Sequence, residues 1–541
     1  MSSARWPIPI PVKLAGAASL ASLLAALAFA MRGQHAWMAM LIVGAYLAGC
    51  AAELARHDRR AWKRKRMLTD QRADSADTML VVYASQTGYA EQLALQSAQS
   101  LRSEAMPVKV LGLDQLDQQQ LLQARHILFV VSTTGDGDAP DNAADFVRRI
   151  MTMRMPLQLE RLGYGLLALG DRGYARYCAF GRQLEQWLQQ QGAQALFDSI
   201  EVDGNDPKAL AEWQARLVEL GGADAASVWQ TPRLERWTLC ERRLLNPGSQ
   251  GGGVYHIGLR PIDSELQWQA GDIVDIGPVN ADADIERCLE WLGLAGTQTV
   301  LCDTQPTTLA LALRDRQLPQ EEELEALRKL DAQGLIAHLP PLPRRSYSIA
   351  SLPADGQLEL LVRRMQYPDG RLGIGSGWLT EHAEIGAEIA LHVRANRSFH
   401  PPEDDRPLIL IGSGTGIAGL RAHLKHRAAR GHRRNWLLFG ERSAKHDFFH
   451  NEEICGWQRQ GVLQRLDLAF SRDQPQRLYV QEKLLAAQAE LRAWVAQGAA
   501  IYVCGSLAGM ATDVAATLHS VLGQQLLDHL RQEGRYRRDV Y

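Results

Sequence analysis

The sequence predicts an α/β chain of several domains: a doubly wound parallel sheet, an antiparallel β-barrel with a short helical insert, and a second α/β domain. Three observations lead to this fold class. Between residues 78 and 220, apolar strands that end in Gly- and Ser/Thr-rich loops alternate with helical periodicity, which favours a parallel sheet. Apolar alternation between glycine turns at residues 239–276 favours antiparallel strands. Strand–helix alternation returns from residue 408.

The length and the local composition suggest where these domains begin and end. A chain of 541 residues has room for roughly three to four domains. We place the doubly wound domain at 78–220, a small-residue hinge at 221–232 and the barrel at 233–402, with its helical insert at residues 281–340. The second α/β domain then covers residues 403–541, and residues 1–77 stand apart from the three.

Charge and cysteine usage exclude some functions. The formal net charge of −2 gives no reason to expect a nucleic-acid partner. The seven cysteines are scattered, and no pair has the spacing of metal ligands. This pattern is typical of reduced cytosolic thiols, and we predict no metal site.

The N-terminus predicts a transmembrane helical hairpin, which completes the fold class. Residues 14–31 and 36–52 are apolar and uncharged, and a polar break at 32–35 divides them. Each stretch is at the lower limit for crossing a bilayer. The Arg- and Lys-rich linker at residues 56–66 should stay on the cytoplasmic side. We therefore expect a protein of the inner (cytoplasmic) membrane whose other domains face the cytoplasm.

Two alternatives remain open for this segment. Ala28-Phe29-Ala30 resembles a signal-peptidase site, so the first stretch is alternatively a cleaved signal that would export the downstream domains. In the other alternative only the second stretch spans the bilayer and the first lies in its interface. The choice between one span and two stays open.

Three loops end neighbouring strands of the first sheet, where doubly wound sheets bind their ligands. Their hydroxyls and backbone N–H groups can converge on an anion, although one such loop alone is explained equally well by turn geometry. Tyr174 is placed to stack on a planar ring, or else to fill the core. The loops contain Ser85, Gln86, Thr87, Gly88, Tyr89 and Ala90; Ser132, Thr133, Thr134, Gly135, Asp136 and Gly137; and Leu169, Gly170, Asp171, Tyr174, Tyr177 and Cys178.

Further motifs lie in the second half of the chain. The strand that begins at Arg345 alternates arginine, tyrosine and hydroxyl groups, so it can offer positive charge to a pyrophosphate and an aromatic ring to a flavin. The glycine segment that begins at Gly373 can offer backbone N–H groups to a second phosphate. A glycine turn follows the strand at 408–411, and a cluster of hydroxyls and guanidinium groups suits a 2′-phosphate, or is a plain surface patch. These motifs contain Arg345, Ser346, Tyr347 and Ser348; Gly373, Ile374, Gly375 and Ser376; Gly414 and Thr415; and Ser471, Arg472, Arg477, Leu478, Tyr479, Val480 and Gln481.

The C-terminal region adds a cysteine, an acid and a terminal aromatic ring. Cys504 follows an apolar strand, and most buried cysteines are inert. The presence of Ser348 and Asp539 in compatible places favours a functional role for it. Tyr541 is the last residue, where an aromatic side chain usually frays in water unless something holds it.

With these motifs in this order, residues 78–541 resemble the diflavin reductases, and within that family most of all the flavoprotein (alpha) component of NADPH-sulfite reductase. The resemblance implies a flavodoxin-like FMN domain, an FAD-binding barrel and a ferredoxin-reductase-like NADP-binding domain, with FMN, FAD and NADPH as cofactors. It implies FMN contacts from residues 85–90, 132–137 and 169–178. FAD contacts would come from Arg345, Tyr347, Ser348, Tyr367, Gly373, Gly375, Ser376 and Tyr541. NADPH contacts would come from Gly414, Thr415, Ser471, Arg472, Arg477, Tyr479, Gln481 and Asp513, and the residues assisting hydride transfer would be Ser348, Cys504 and Asp539.

The chain departs from the family pattern in several places. Thr134 stands where many members carry an aromatic ring, Gly419 where a proline is usual, Ser506 where an acid is usual, and Arg363 where a glycine is common. The insert before Arg345 is short, and an apolar hairpin stands where the sulfite-reductase flavoprotein has a soluble assembly tail.

These features together predict a membrane-anchored, NADPH-dependent diflavin reductase. Electrons would pass from NADPH to FAD, to FMN and then to an external acceptor, which we expect to be a membrane-associated redox protein. One alternative is the flavoprotein subunit of an assimilatory sulfite reductase. An alternative of another class is a flavin-binding scaffold without turnover.

Overall fold

The computed structural model describes residues 78–101, 107–134, 137–153, 155–172, 176–204, 206–221, 234–302 and 305–541. The hairpin expected at 1–77, nearly all of the hinge, and the loop residues Gly135, Asp136 and Tyr174 lie outside these ranges. Among the described helices, none combines the length and the apolar character needed to cross a membrane. All the elements below belong to one compact unit, Ser75–Tyr541.

The first sheet is parallel throughout, with the order β2-β1-β3-β4 and both β5 and β6 paired to β4. Its strands are almost continuously apolar because helices cover both faces, and each face has its own core of buried side chains. The predicted doubly wound sheet is confirmed. The strands are β1 Met79–Ala84, β2 Val108–Gly112, β3 His126–Ser132, β4 Gly163–Gly170, β5 Gln194–Ala195 and β6 Ile200–Asp203; the helices are α1 Tyr89–Leu101, α2 Gln118–Gln123, α3 Ala144–Phe146, α4 Ala179–Gln190 and α5 Pro207–Glu219.

The second sheet is antiparallel and contains six strands. Ala350, two residues beyond one end strand, donates its N–H to the carbonyl of Glu359 in the other end strand (2.8 Å), so the ends of the sheet approach each other. The strands are β7 Glu235–Leu244, β8 Val254–Pro261, β9 Ile273–Gly277, β12 Arg345–Ser348, β13 Leu358–Arg363 and β14 Glu388–Arg394, in the order β12-β9-β14-β7-β8-β13. Between β9 and β12 lies the insert: α6 Asp282–Leu292, the hairpin β10 Thr299–Cys302 and β11 Gln305–Thr308, α7 Leu309–Leu313, α8 Glu321–Leu327 and α9 Ala332–His338; the short helix α10 Ile374–Gly377 follows β13.

The third sheet is parallel, with the order β17-β16-β15-β18-β19. The order reverses between β15 and β18, and such a switch point leaves a crevice at the carboxyl ends of the strands. The strands are β15 Leu408–Ser413, β16 Asn435–Glu441, β17 Leu463–Phe470, β18 Ala500–Gly505 and β19 Tyr536–Val540. The helices are α11 Ile417–Ala429, α12 Ala444–Asp447, α13 Asn451–Arg459, α14 Val480–Ala486, α15 Gln488–Ala496, α16 Thr512–Leu522 and α17 Gln524–Gln532.

One glycine controls how closely the turn after β15 approaches β18. A Cβ atom at Gly416 would lie 2.1 Å from the Cys504 carbonyl oxygen. We expect Gly416→Ala to lower the melting temperature of the protein by roughly 3–10 °C, because a backbone atom cannot yield to the new methyl group. Gly456→Ala is the matched control: it lies inside α13, with its nearest neighbour 4.0 Å away, and should raise the melting temperature slightly. Equal melting temperatures for the two variants, by calorimetry, would contradict the close approach.

Candidate active site

The switch point of the third sheet has a glycine turn on one side and Cys504 on the other. Gly414–Gly416 forms a tight turn between β15 and α11, and Gly414 adopts a left-handed conformation with φ of 58°. Cys504 lies near the carboxyl end of β18, beside β15. The predicted dinucleotide turn therefore borders the crevice.

The structure brings Ser348, Cys504 and Asp539 together. The parallel pairing of β18 and β19 sets Asp539 opposite Cys504, and β12 of the barrel carries Ser348 to the same place. The Ser348 hydroxyl donates to Asp539 Oδ2 (2.6 Å), and the Cys504 thiol lies 3.7 Å from the same oxygen as a second donor. Three segments distant in the sequence thus meet at one carboxylate.

Burial decides the protonation of this cluster. Asp539 is 3% exposed and Cys504 is fully buried. Burial raises the pKa of Asp539 above the ordinary 3.8 of an aspartate, and it raises the pKa of the Cys504 thiol well above 9.0. Cys504 therefore remains a thiol and acts as a hydrogen-bond donor rather than as a nucleophile.

The terminal Tyr541 is tethered to the glycine turn instead of fraying. Its N–H donates to the Gly505 carbonyl (3.2 Å), and its carbonyl accepts from the Leu507 N–H (2.9 Å). Its hydroxyl lies 3.1 Å from Thr415 Oγ1. The ring is about half exposed, which suits a lid that can be displaced.

A cavity of about 340 Å³ lies between the loops of the first sheet and the barrel. The Thr134 hydroxyl is buried without a hydrogen-bond partner among the described residues, and Ser85 Oγ accepts the Ala90 N–H (3.2 Å) at the start of α1. An unpaired hydroxyl beside a helix start fits a phosphorylated ring such as FMN. The loop residues lining the cavity are Gln86, Thr87, Tyr89, Ser132, Thr133, Thr134, Leu169, Gly170, Asp171, Tyr177 and Cys178; from elsewhere come Arg345, Ser346 and Tyr541 among others.

The glycine segment after β13 lies against β12. A Cβ atom at Gly375 would lie 2.8 Å from Arg345 Cγ and 2.9 Å from the Tyr347 hydroxyl. Gly373 begins α10 without a side chain to cap it, while Ser376 Oγ accepts the Met365 N–H (3.1 Å). Free first-turn N–H groups beside an arginine and a tyrosine fit the pyrophosphate and ring of FAD. Tyr367 is exposed on the turn that precedes this segment.

The basic cluster of the third sheet lies where β17 ends. Ser471 is buried there, while Arg472 and Arg477 are exposed and form no ion pair with any residue that the structure describes. Farther along, Gln481 Nε2 donates to Asp513 Oδ2 (3.2 Å), which joins α14 to the start of α16. Two unpaired guanidinium groups fit a dianionic 2′-phosphate.

The sequence did not reveal a set of charged contacts between the flavodoxin-like sheet and the other two. Arg345, which the resemblance assigned to FAD, donates to Asp171 (3.2 Å). The guanidinium of Arg394 binds Asp275 (2.9 Å) and the carbonyl of Thr87. These pairs join residues more than 100 positions apart, so no local pattern could have identified them.

The C-terminal strand also contacts the flavodoxin-like sheet. Arg538 forms an ion pair with Asp141, and Gln86 donates to the Arg538 carbonyl (2.9 Å) and to Asp141 (3.1 Å). Arg538 and Asp141 lie 397 positions apart in the chain, so the sequence could not reveal this pair. The first loop therefore lies against the strand that carries Asp539.

Comparison with known proteins identifies two domain families in the chain and a set of similar proteins. The flavodoxin family matches residues 81–216, and the oxidoreductase NAD-binding domain family matches residues 410–516. Among curated proteins, the chain is similar to the sulfite reductase [NADPH] flavoprotein alpha-components of Vibrio cholerae (31% identical, covering 87% of this chain and 89% of the relative) and Vibrio parahaemolyticus (31%, 87% and 87%). The alpha-component of Yersinia enterocolitica is also 31% identical, over 87% of this chain and 90% of the relative.

Similarity at this level covers most of the chain, including parts of all three sheets. The cavity described above fits FMN, and the basic cluster fits the 2′-phosphate of NADPH. The chain belongs to the family of the NADPH-sulfite reductase flavoprotein alpha-components, and it is an NADPH-dependent flavoprotein oxidoreductase whose cofactors are FMN, FAD and NADPH.

Proposed function

We propose that the chain is a membrane-anchored diflavin reductase that passes electrons from NADPH through FAD and FMN to an external, membrane-associated acceptor protein. The observation that carries the catalytic part is the meeting of Ser348, Cys504 and Asp539 at the switch-point crevice. A buried carboxylate and two donors next to a glycine turn support a hydride-transfer site rather than a plain core.

The flavins, when bound, supply the chemistry that converts a two-electron hydride donor into a source of single electrons. The protein's own part is electrostatic. Asp539, when ionised, sets a negative charge in a dry crevice where a nicotinamide becomes positive as it loses hydride, and so favours that charge. Ser348 and Cys504 donate to the carboxylate and hold it in place.

The remaining residues divide among three binding roles. We assign the loops at 85–90, 132–137 and 169–178 to FMN, and Arg345, Tyr347, Ser348, Tyr367, Gly373, Gly375, Ser376 and Tyr541 to FAD. We assign the binding of NADPH to Gly414, Thr415, Ser471, Arg472, Arg477, Tyr479, Gln481 and Asp513. The cavity, the glycine segment and the unpaired guanidinium groups described above support these assignments.

The membrane anchor rests on the sequence of residues 1–77. Two apolar stretches followed by a basic linker support a hairpin whose downstream domains stay in the cytoplasm, where NADPH is available. An acceptor in or at the inner membrane would then be within reach.

A second candidate is a sulfite reductase flavoprotein subunit, which the relatives' names favour. The two candidates differ in the partner. Purification in detergent, followed by identification of co-purifying proteins, separates them: a sirohaem protein supports the subunit, and an integral membrane redox protein supports the reductase proposed here. Reduction of ferricyanide by NADPH excludes a flavin-binding scaffold without turnover.

Loss of the Asp539 charge should slow flavin reduction. We expect Asp539→Asn to lower the rate of flavin reduction by NADPH, measured by stopped flow, about 100-fold, and Ser348→Ala about tenfold. The double variant should be little worse than Asp539→Asn, because the two residues act as a unit. Ser264→Ala, an exposed barrel serine, is the control and should leave the rate unchanged.

The pH profile gives this prediction a second readout. Because burial raises the pKa of Asp539, the active carboxylate is lost as the pH falls through that raised value. The wild-type rate should therefore decline on the acid side at a pH above 3.8, and Asp539→Asn should lack that decline. An unchanged acid limb in the variant would count against Asp539 as the titrating group.

The tethered terminal ring should influence the choice of nucleotide. A nicotinamide must displace the ring of Tyr541, and the binding energy of the 2′-phosphate helps NADPH to do so. We expect Tyr541→Ala to raise kcat/KM for NADH relative to NADPH by about tenfold or more. Tyr541→Phe keeps the ring and loses only the contact with Thr415, so it should retain most of the preference. If the alanine variant keeps the wild-type ratio, the proposal that the Tyr541 ring covers the FAD and must be displaced by nicotinamide is wrong.

The anchor predicts how the protein fractionates. The full chain should sediment with membranes and require detergent for release, because two apolar stretches enter the bilayer. A chain that begins at residue 78 should be found in the soluble fraction and still reduce ferricyanide with NADPH. Release of the full chain by a carbonate wash would disprove the anchor.

A further inference from the structure

Arg363 and Glu441 form an ion pair between the barrel and the third sheet. Arg363 is the last residue of β13, and Glu441 is the last residue of β16. The Arg363 guanidinium contacts the Glu441 carboxylate and also donates to the Gly252 carbonyl (3.3 Å). The Glu441 side chain is 5% exposed, so its charge is nearly removed from water.

The pair lies directly beside the glycine turn. A Cβ atom at Gly414 would lie 3.4 Å from Arg363 Nη2 and 3.5 Å from Glu441 Oε1. A dinucleotide held by this turn would bring its phosphates within a few ångströms of the Glu441 carboxylate. At such distances, in a poorly hydrated crevice, an unpaired carboxylate would repel the phosphates strongly.

The position of Glu441 also affects whether the site would favour NAD or NADP. An acid at the end of the second strand of such a sheet typically accepts the ribose hydroxyls of NAD. Here both carboxylate oxygens are engaged: Oε1 by Arg363, and Oε2 by the backbone N–H of Arg442 (2.7 Å). The negative charge of Glu441 is thereby compensated, and both of its oxygens already accept hydrogen bonds. Neither is free to accept a ribose hydroxyl, as it would be in an NAD site.

We propose that Arg363 is a positioning residue that sets the preference for NADPH over NADH by pairing with Glu441 beside the dinucleotide turn. This rests on the proposed function, because it takes the Gly414 turn as the nucleotide site. NADPH carries one more phosphate dianion than NADH. Compensating the charge of the Glu441 carboxylate should therefore strengthen the binding of NADPH more than the binding of NADH. The barrel thus supplies the cation that pairs with Glu441 of the third sheet.

The test compares Arg363→Gln, Glu441→Gln and the double variant in the flavin-loaded full chain. Isothermal titration calorimetry with NADP⁺ and NAD⁺ gives the dissociation constants, and ferricyanide reduction gives kcat and KM. Arg363→Gln should raise both the Kd for NADP⁺ and the KM for NADPH about tenfold, with kcat changed less than about twofold and NAD⁺ affected less. The double variant should recover the wild-type Kd for NADP⁺, because no unpaired carboxylate remains.

Arg236→Gln is the matched control, since it removes an exposed barrel arginine that pairs with Asp263, and it should leave both constants unchanged. Glu441→Gln alone should keep or improve NADP⁺ binding, and this variant tests the proposal even if Arg363→Gln fails to fold. An unchanged Kd for NADP⁺ in a folded Arg363→Gln, a double variant as weak as Arg363→Gln, or weaker NADP⁺ binding by Glu441→Gln would each overturn the role of Arg363. A wild-type protein that binds NADP⁺ but does not oxidise NADPH would instead contradict the proposed function.

Discussion

The parallel pairing of β19 with β18 is the constraint on which the candidate site depends. It sets Asp539 opposite Cys504, directs Arg538 to Asp141 of the flavodoxin-like sheet, and leaves Tyr541 beside the glycine turn. Because side chains alternate along a strand, a slip of one residue would replace the carboxylate with a cation or a valine. The register of this one edge strand therefore fixes which side chains meet in the candidate site.

Buried charges with more than one partner hold the three sheets in a single unit. Arg394 binds Asp275 within the barrel and the Thr87 carbonyl in the flavodoxin-like sheet. Arg421 of α11 contacts Glu359 of the barrel and Glu453 of α13. A desolvated guanidinium is stable only when its donors are satisfied, so each of these arginines favours one relative placement of the elements that it joins.

This placement has a functional consequence. The loops of the flavodoxin-like sheet share one cavity with Arg345, Ser346 and Tyr541, so the groups assigned to the two flavins face the same space. In the proposed function, the FMN site and the FAD site would therefore border the same cavity. The Arg363–Glu441 pair adds another contact between the barrel and the third sheet, beside the glycine turn.

Local patterns determined much of the fold. Apolar strands, glycine turns and helical periodicity act over a few residues, so the two parallel sheets, the antiparallel barrel and the loops at their strand ends were predictable from sequence. Ser348, Cys504 and Asp539 each lie in a recognisable segment, and the structure brings them together, while their role in hydride transfer stays a prediction. The N-terminal hairpin remains a prediction, because residues 1–77 lie outside the part of the chain that the structure describes.

What the sequence determined by itself was the set of elements and the kinds of side chain at their ends. Which of those side chains meet depends on the packing of the sheets: Arg345 with Asp171, Arg394 with Thr87, and Arg363 with Glu441. The physical reason is that a strand or turn follows from neighbours in the chain. An ion pair between two domains depends on how separate sheets pack, and no spacing in the sequence records that packing.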